Sequence, residues 1–204
     1  MNRIVRTLVA ILAVAVAATA TPAAADSIAT PNAYLPAVNI TGATGLWRTD
    51  VWIFNPETEL DNEVVLYFTP AGVDGTSAGG LRITPDLAPR ESIALDDIVR
   101  TIFGRTEVFG LLEVRGKHPL LVTSNTYNVG GSTAGTYGQY SPGQPYRNAL
   151  GFDDSVYGDL YVTGLTNDPN LRTNVAVMNP TDVELEAGVQ LVDAVGAPYG
   201  TRIV

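Results

Sequence analysis

The sequence predicts an all-β protein: an immunoglobulin-like antiparallel β-sandwich with one short helix, followed by part of a second repeat. Three observations support this prediction. The 204-residue chain contains 20 glycines and 13 prolines, and short runs of β-branched and aromatic residues lie between them, as in all-β sandwiches and barrels. One of these runs alternates with the two-residue period of a strand. A nine-residue motif also occurs twice.

The first 25 residues are predicted to be a secretory signal peptide. Arg3 and Arg6 precede the apolar run Leu8–Ala18, and Ala23–Ala25 provides small residues for cleavage before Asp26. Nothing after this segment is long and apolar enough to cross a bilayer as a helix. We therefore expect a secreted or extracytoplasmic protein without a membrane span, located in the periplasm, at the cell surface or outside the cell.

The clearest strand is Trp47–Phe54. Its odd-numbered residues, from Trp47 to Ile53, are expected to face the core, while Arg48, Asp50, Trp52 and Phe54 face the other way. Asn55 and Pro56 end it, since proline cannot donate a hydrogen bond to a neighbouring strand. Further strands are expected at Tyr34–Thr41, Glu63–Phe68, Leu81–Thr84, Val108–Val114, Leu120–Tyr127, Leu160–Thr163, Arg172–Met178 and Val189–Val192.

One helix is expected, with apolar residues at helical spacing from Leu95 to Phe103. Asp96 and Asp97 would begin it, where negative charge suits the helix dipole, and Gly104 would end it. We expect this helix to cover one end of the sandwich.

The motif Arg48–Pro56 recurs 124 residues later as Arg172–Pro180, with five of nine positions identical. This repetition predicts a β-sandwich domain at 26–157 and a partial second repeat at 158–204. Either the second repeat is a fragment of a longer array, or its strands complete the first sheet. An uncompleted sheet would leave an exposed edge suited to self-association.

The run Leu46–Pro56, which contains the pattern W-R-T-D-V-x-I-x-N-P, resembles a motif of secreted bacterial immunoglobulin-like β-sandwich repeat proteins. Ser124–Asn128 and Gly135–Gln139 resemble segments of the same group. The likeness covers most of Tyr34–Tyr146 and the second copy of the motif. It implies an extracellular sandwich unit without an assigned catalytic pattern.

The composition argues against several functions. A net charge of −9 with a single lysine disfavours nucleic-acid partners. No cysteine is present, which excludes thiol chemistry, and the one histidine, His118, is predicted in a turn at Gly116–Pro119. The acidic loops lack the spacing of a helical calcium loop. We therefore predict no catalytic residues, no metal and no cofactor, and a hydrolase is the least favoured hypothesis.

The segment 127–157 combines tyrosines with glycine, serine and asparagine, the mixture that binding loops use. Our main functional expectation is a non-catalytic secreted structural or adhesive module. The alternative is a carbohydrate- or peptide-binding module, whose partner would be an extracellular glycan or protein. Its candidate binding residues are Trp52, Tyr127, Tyr137, Gln139, Tyr140 and Tyr146. The favoured role of these tyrosines is structural, as rings that anchor a glycine-rich connection to the sheet.

Overall fold

A computed structural model describes residues 28–42, 45–75, 81–130 and 138–146, together with 162, 165, 175–181, 184, 186–193 and 195–203. Across these residues the chain forms ten strands and one short helix. In chain order they are β1 (Thr30–Gly42), β2 (Gly45–Phe54), β3 (Asn62–Pro70), β4 (Leu81–Leu87), β5 (Ser92–Leu95), α1 (Ile98–Thr101), β6 (Val108–Val129), β7 (Gly138–Pro142), β8 (Gln144–Pro145), β9 (Gly188–Val192) and β10 (Pro198–Ile203).

The eight strands β1–β8 form one antiparallel sheet in the order β4-β3-β6-β1-β2-β5, with β7 beside β6 and β8 beside β1. Strand β6 organises this sheet, because its first half pairs with β1 and β3 and its second half with β2 and β7. Since β1 and β2 also pair with each other, the sheet is nearly closed and barrel-like. The predicted antiparallel β class is confirmed, whereas an immunoglobulin-like sandwich is not shown.

The predicted turn at Gly116–Pro119 is wrong. The two expected strands around it are one strand, β6, which carries extra residues there: Thr30 lies opposite Leu120, while Asn32 lies opposite Arg115. The side chain of the fully buried Asn62 holds this bulge, donating to the His118 carbonyl and accepting from the His118 N–H, both at 3.0 Å. A bulge therefore bends β6 where a turn was expected.

The expected helix is also shorter than predicted. Leu95 ends strand β5, and α1 covers only Ile98–Thr101, with Ile98 and Val99 fully buried in the core. Gly104 does follow it with a left-handed backbone (φ 62°). The apolar residues keep a helical spacing from Leu95 to Phe103 although the chain passes from a strand through a turn into a short helix. Periodicity alone does not distinguish such a segment from a continuous helix.

The core lies between the two halves of β6 and the strands paired with them. It contains Leu35, Val51, Ile53, Val64, Leu66, Leu112, Val114, Leu120, Val122, Ile98 and Val99 among its buried apolar side chains. The predicted core face of β2 is confirmed at Thr49, Val51 and Ile53, all fully buried. The Thr49 hydroxyl accepts from the Val38 N–H at 3.0 Å, which satisfies the β1 backbone where β1 and β2 separate.

Strands β9 and β10 form a separate two-stranded sheet. Both copies of the Asn-Pro motif form the same local turn, in which Asn55 accepts from the Glu57 N–H and Asn179 from the Thr181 N–H. However, Val177 is exposed and outside any strand, whereas its counterpart Ile53 is buried within β2. The second repeat and its domain boundaries therefore stay predictions. The expected strand Leu160–Thr163 lies almost entirely outside the described residues.

No helix in the described part of the chain is long and apolar enough to cross a membrane.

Candidate binding face

One face of the sheet gathers aromatic and polar side chains from β2, β6 and β7. Directly opposed residues of antiparallel strands carry their side chains on the same face, so the strand register defines three rows on this face. The rows are Arg48–Tyr127–Gly138, Asp50–Asn125–Tyr140 and Trp52–Thr123–Pro142. We call these nine residues the β2–β6–β7 face.

Two aromatic side chains of this face are open to solvent. Trp52 is 39% exposed and Tyr140 is 52% exposed. The residues opposite Trp52 on both sides are small, Ala94 on β5 and Thr123 on β6. Aromatic rings with this much exposed surface can stack on a ligand.

Tyr127 joins two charged groups of the face. Its hydroxyl donates to Asp50 Oδ2 at 2.8 Å and accepts from Arg48 Nε at 2.7 Å, while the Arg48 guanidinium lies 4.9 Å from the centre of its ring. Burial, followed by the hydrogen bond to Asp50, raises the pKa of Tyr127. Tyr127 is thus a neutral donor fixed between an anion and a cation, and it contributes rigidity to the face.

The same network continues to helix α1. Asp50 Oδ1 accepts from the Asp97 N–H at 2.7 Å, and the Asp97 carboxylate accepts from Asn39 Nδ2 at 2.7 Å and from Arg100 Nε at 2.6 Å. Asp97 makes no side-chain cap, and its backbone is left-handed (φ 46°). Asp97 does stand directly before α1, as expected, but it connects α1 to β1 through its carboxylate and to β2 through its N–H instead of capping the helix.

The predicted binding residues do not all lie together. Trp52, Tyr127 and Tyr140 share the β2–β6–β7 face, but Gln139 pairs with Thr126 and lies on the opposite face. Tyr146 follows β8, with its ring 6.3 Å from that of Tyr34. Tyr137 lies outside the described residues.

Sequence reasoning missed Thr123 and Asn125, which lie between the two exposed rings. Both are half-buried on β6, and alternation within the expected strand Leu120–Tyr127 could have identified them. What the sequence did not contain was the pairing of β6 with both β2 and β7. That pairing is a long-range property of the sheet.

A second polar cluster occupies the first half of β6. Glu113 accepts from the Tyr34 hydroxyl at 2.9 Å and from Arg115 Nε at 2.6 Å and Nη2 at 3.0 Å, and the Arg115 guanidinium lies over the Tyr67 ring. Burial and the Glu113 carboxylate raise the pKa of Tyr34. These groups satisfy one another, so the cluster joins β1, β3 and β6.

Among the described residues, no group of histidine and acidic side chains is arranged to hold a metal ion. The buried carboxylates Asp50 and Asp97 each accept strong hydrogen bonds from protein groups. What the face offers chemically is stacking surface and hydrogen bonding.

No protein-family model matches this chain, and no curated protein matches it significantly. Among solved structures, the chain is similar to the "Crystal Structure of Thermotoga maritima 1070", with 10% sequence identity and a TM-score of 0.46. The match covers 59% of this chain and 98% of that chain. A similarity this weak supports no statement about fold or function.

Proposed function

We propose that this protein is a non-catalytic, exported adhesive module that binds a carbohydrate on the β2–β6–β7 face. The observation that carries the proposal is the shared placement of Trp52 and Tyr140, two solvent-exposed aromatic rings, on either side of Thr123 and Asn125. Aromatic faces stack on the apolar faces of sugar rings, and hydroxyl and amide groups both donate and accept hydrogen bonds.

The rigidity of the face supports the same function. The side chains of Asp50 and Tyr127 join β2 to β6 beside the exposed rings, and the Asp97 N–H links α1 to Asp50. A ligand that binds a preorganised surface loses less free energy in ordering protein side chains.

A glycan array tests the proposal with the wild-type protein, Trp52→Ala and Tyr140→Ala. Phe109→Ala is a matched control, because Phe109 is 53% exposed, nearly the same as Tyr140, but lies on the first half of β6. We expect both face variants to lose binding while Phe109→Ala retains it. A wild-type protein that binds no glycan, or equal losses in all three variants, would contradict the proposal.

Export is a separate part of the proposal, supported by the basic, apolar and small-residue regions of the first 25 residues. The intact mass of protein recovered outside the cytoplasm should correspond to a chain that begins at Asp26. Recovery of the uncleaved chain in the cytoplasm alone would contradict export.

The second candidate is a structural module that assembles through sheet edges, within the immunoglobulin-like repeat architecture expected from the sequence. One observation favours it: among the described strands, β5 pairs only with β2, and β4 only with β3. Unpaired edges are templates for strand addition. Light scattering over a range of concentrations would detect such assembly, and a monomer at every concentration would exclude it.

A further inference from the structure

We infer that the ligand of the β2–β6–β7 face is an extended, uncharged oligosaccharide that contacts Trp52 and Tyr140 at the same time. This inference rests on the proposed function and adds the length and the charge of the ligand. The two properties follow from separate observations, the register of the three strands and the balance of positive and negative charges at the face.

The length follows from the strand register. Tyr140 lies two strands across from Trp52 and one two-residue step along the sheet. With ~3.4 Å per residue and ~4.8 Å between strands, the two Cβ positions are about 12 Å apart. A single pyranose ring covers one aromatic side chain, so only a chain of linked sugars can stack on both.

The surface between the rings suits such a chain. Thr123 and Asn125 lie on β6, between the strands that carry the two rings, and both are partly exposed. A threonine hydroxyl and an asparagine amide each donate and accept hydrogen bonds, as sugar hydroxyls do. An oligosaccharide that crosses from Trp52 to Tyr140 would therefore pass over groups able to bond its middle residues.

The charge of the ligand follows from the balance of positive and negative side chains on and beside the face. Arg48 and Asp50 are bridged by the Tyr127 hydroxyl, and the neighbouring Asp97 is paired with Arg100. These four charges sum to zero, and the whole chain carries −9. The cation of the three rows, Arg48, is joined through the Tyr127 hydroxyl to the Asp50 carboxylate, so the face offers an acidic glycan no net positive charge, and the protein as a whole would repel it.

Calorimetric titration of the full protein tests both properties. The probes are glucose, a neutral series (cellobiose to cellohexaose, xylohexaose and mannohexaose), and hexagalacturonate as an acidic chain of equal length. We expect one neutral hexasaccharide to bind at least tenfold more tightly than its own disaccharide, with an affinity that does not change between low and high salt. We expect hexagalacturonate to bind at least tenfold more weakly than that neutral chain.

The variants test whether one chain spans both rings. In Trp52→Ala or Tyr140→Ala, the hexasaccharide should lose roughly tenfold in affinity, which is about 1.4 kcal/mol, and should bind no more tightly than the disaccharide does. Phe109→Ala should keep the full dependence on chain length. This control separates loss of the spanning contact from general damage to the sheet.

The failures are distinguishable. If a monosaccharide or disaccharide binds as tightly as the hexasaccharide, the inferred length is wrong although the proposed function survives. If hexagalacturonate binds more tightly and salt abolishes its binding, the inferred charge is wrong. If no saccharide binds, the inference and the proposed function both fail.

Discussion

Replacing Tyr127 with phenylalanine removes one hydroxyl that joins two charged groups. Asp50, only 9% exposed, would lose the donor at 2.8 Å and keep the Asp97 N–H. Hydrogen bonds to charged groups contribute about 1.5–3 kcal/mol each, whereas the partly exposed Arg48 regains water at little cost. We therefore expect Tyr127→Phe to lower the free energy of unfolding by about 2 kcal/mol.

Urea unfolding measures this loss. With a slope of about 2 kcal/mol per molar urea, the midpoint should fall by about 1 M. Tyr67→Phe is the matched control, because the Tyr67 hydroxyl makes no hydrogen bond among the described residues while its ring is similarly half-buried. Its midpoint should change by less than ~0.25 M, which corresponds to a surface substitution of about 0.5 kcal/mol. Equal midpoints for the two variants would refute the assigned role of the Asp50–Tyr127–Arg48 bridge.

Three further predictions test the fold. Asn62→Ala should destabilise the protein by about 2–4 kcal/mol, since it leaves two backbone groups of the β6 bulge unpaired; calorimetric melting with little change would contradict this. Burial, and next the Glu113 carboxylate, raises the pKa of the Tyr34 hydroxyl above its usual value of 10.0. Because the unfolded chain therefore loses this proton at a lower pH than the folded chain, the stability should fall as the pH rises above 10. In Tyr34→Phe that decline should be shallower, and an equally steep decline would exclude Tyr34 as its source. Gly110→Ala would place a Cβ against the Thr69 carbonyl and should lower stability by more than about 3 kcal/mol. Gly188→Ala is the control, because open space surrounds Gly188, and it should change stability by less than about 0.5 kcal/mol. Similar melting temperatures for the two variants would contradict the close packing of β3 against β6.

The alternation of β2 predicted most of its two sides, although Trp47 is only half-buried on the core side and Asp50 is buried on the other. Thr49, Val51 and Ile53 are buried as expected, and Trp52 is exposed on the other side. Strand periodicity is a local property that follows from backbone geometry, so one sequence contains it. Tyr140 was a candidate binding residue because of the composition of segment 127–157, and the strand register places it on the same face as Trp52.

The errors concern contacts between residues distant in the chain. Gly116 and Pro119 are common turn residues, yet the buried side chain of Asn62 holds this segment within β6 from 56 residues away. Gln139 and Tyr140 must point to opposite faces because they are neighbours on β7, but which of them shares a face with Trp52 depends on the register of β7 against β6. A side chain that satisfies a distant backbone group leaves no periodic signal, which is why Asn39 and Asn62 were not identified.

The most direct test of the proposed binding face uses Trp52 as its own reporter. The chain contains two tryptophans, and Trp47→Phe leaves Trp52 as the only one. With the saccharide that binds most tightly in the glycan array, acrylamide quenching of the remaining fluorescence should decrease as the ligand saturates, because a sugar ring stacked on Trp52 excludes the quencher. Saturable binding of that saccharide with unchanged quenching would locate the ligand elsewhere and contradict the assignment of the β2–β6–β7 face.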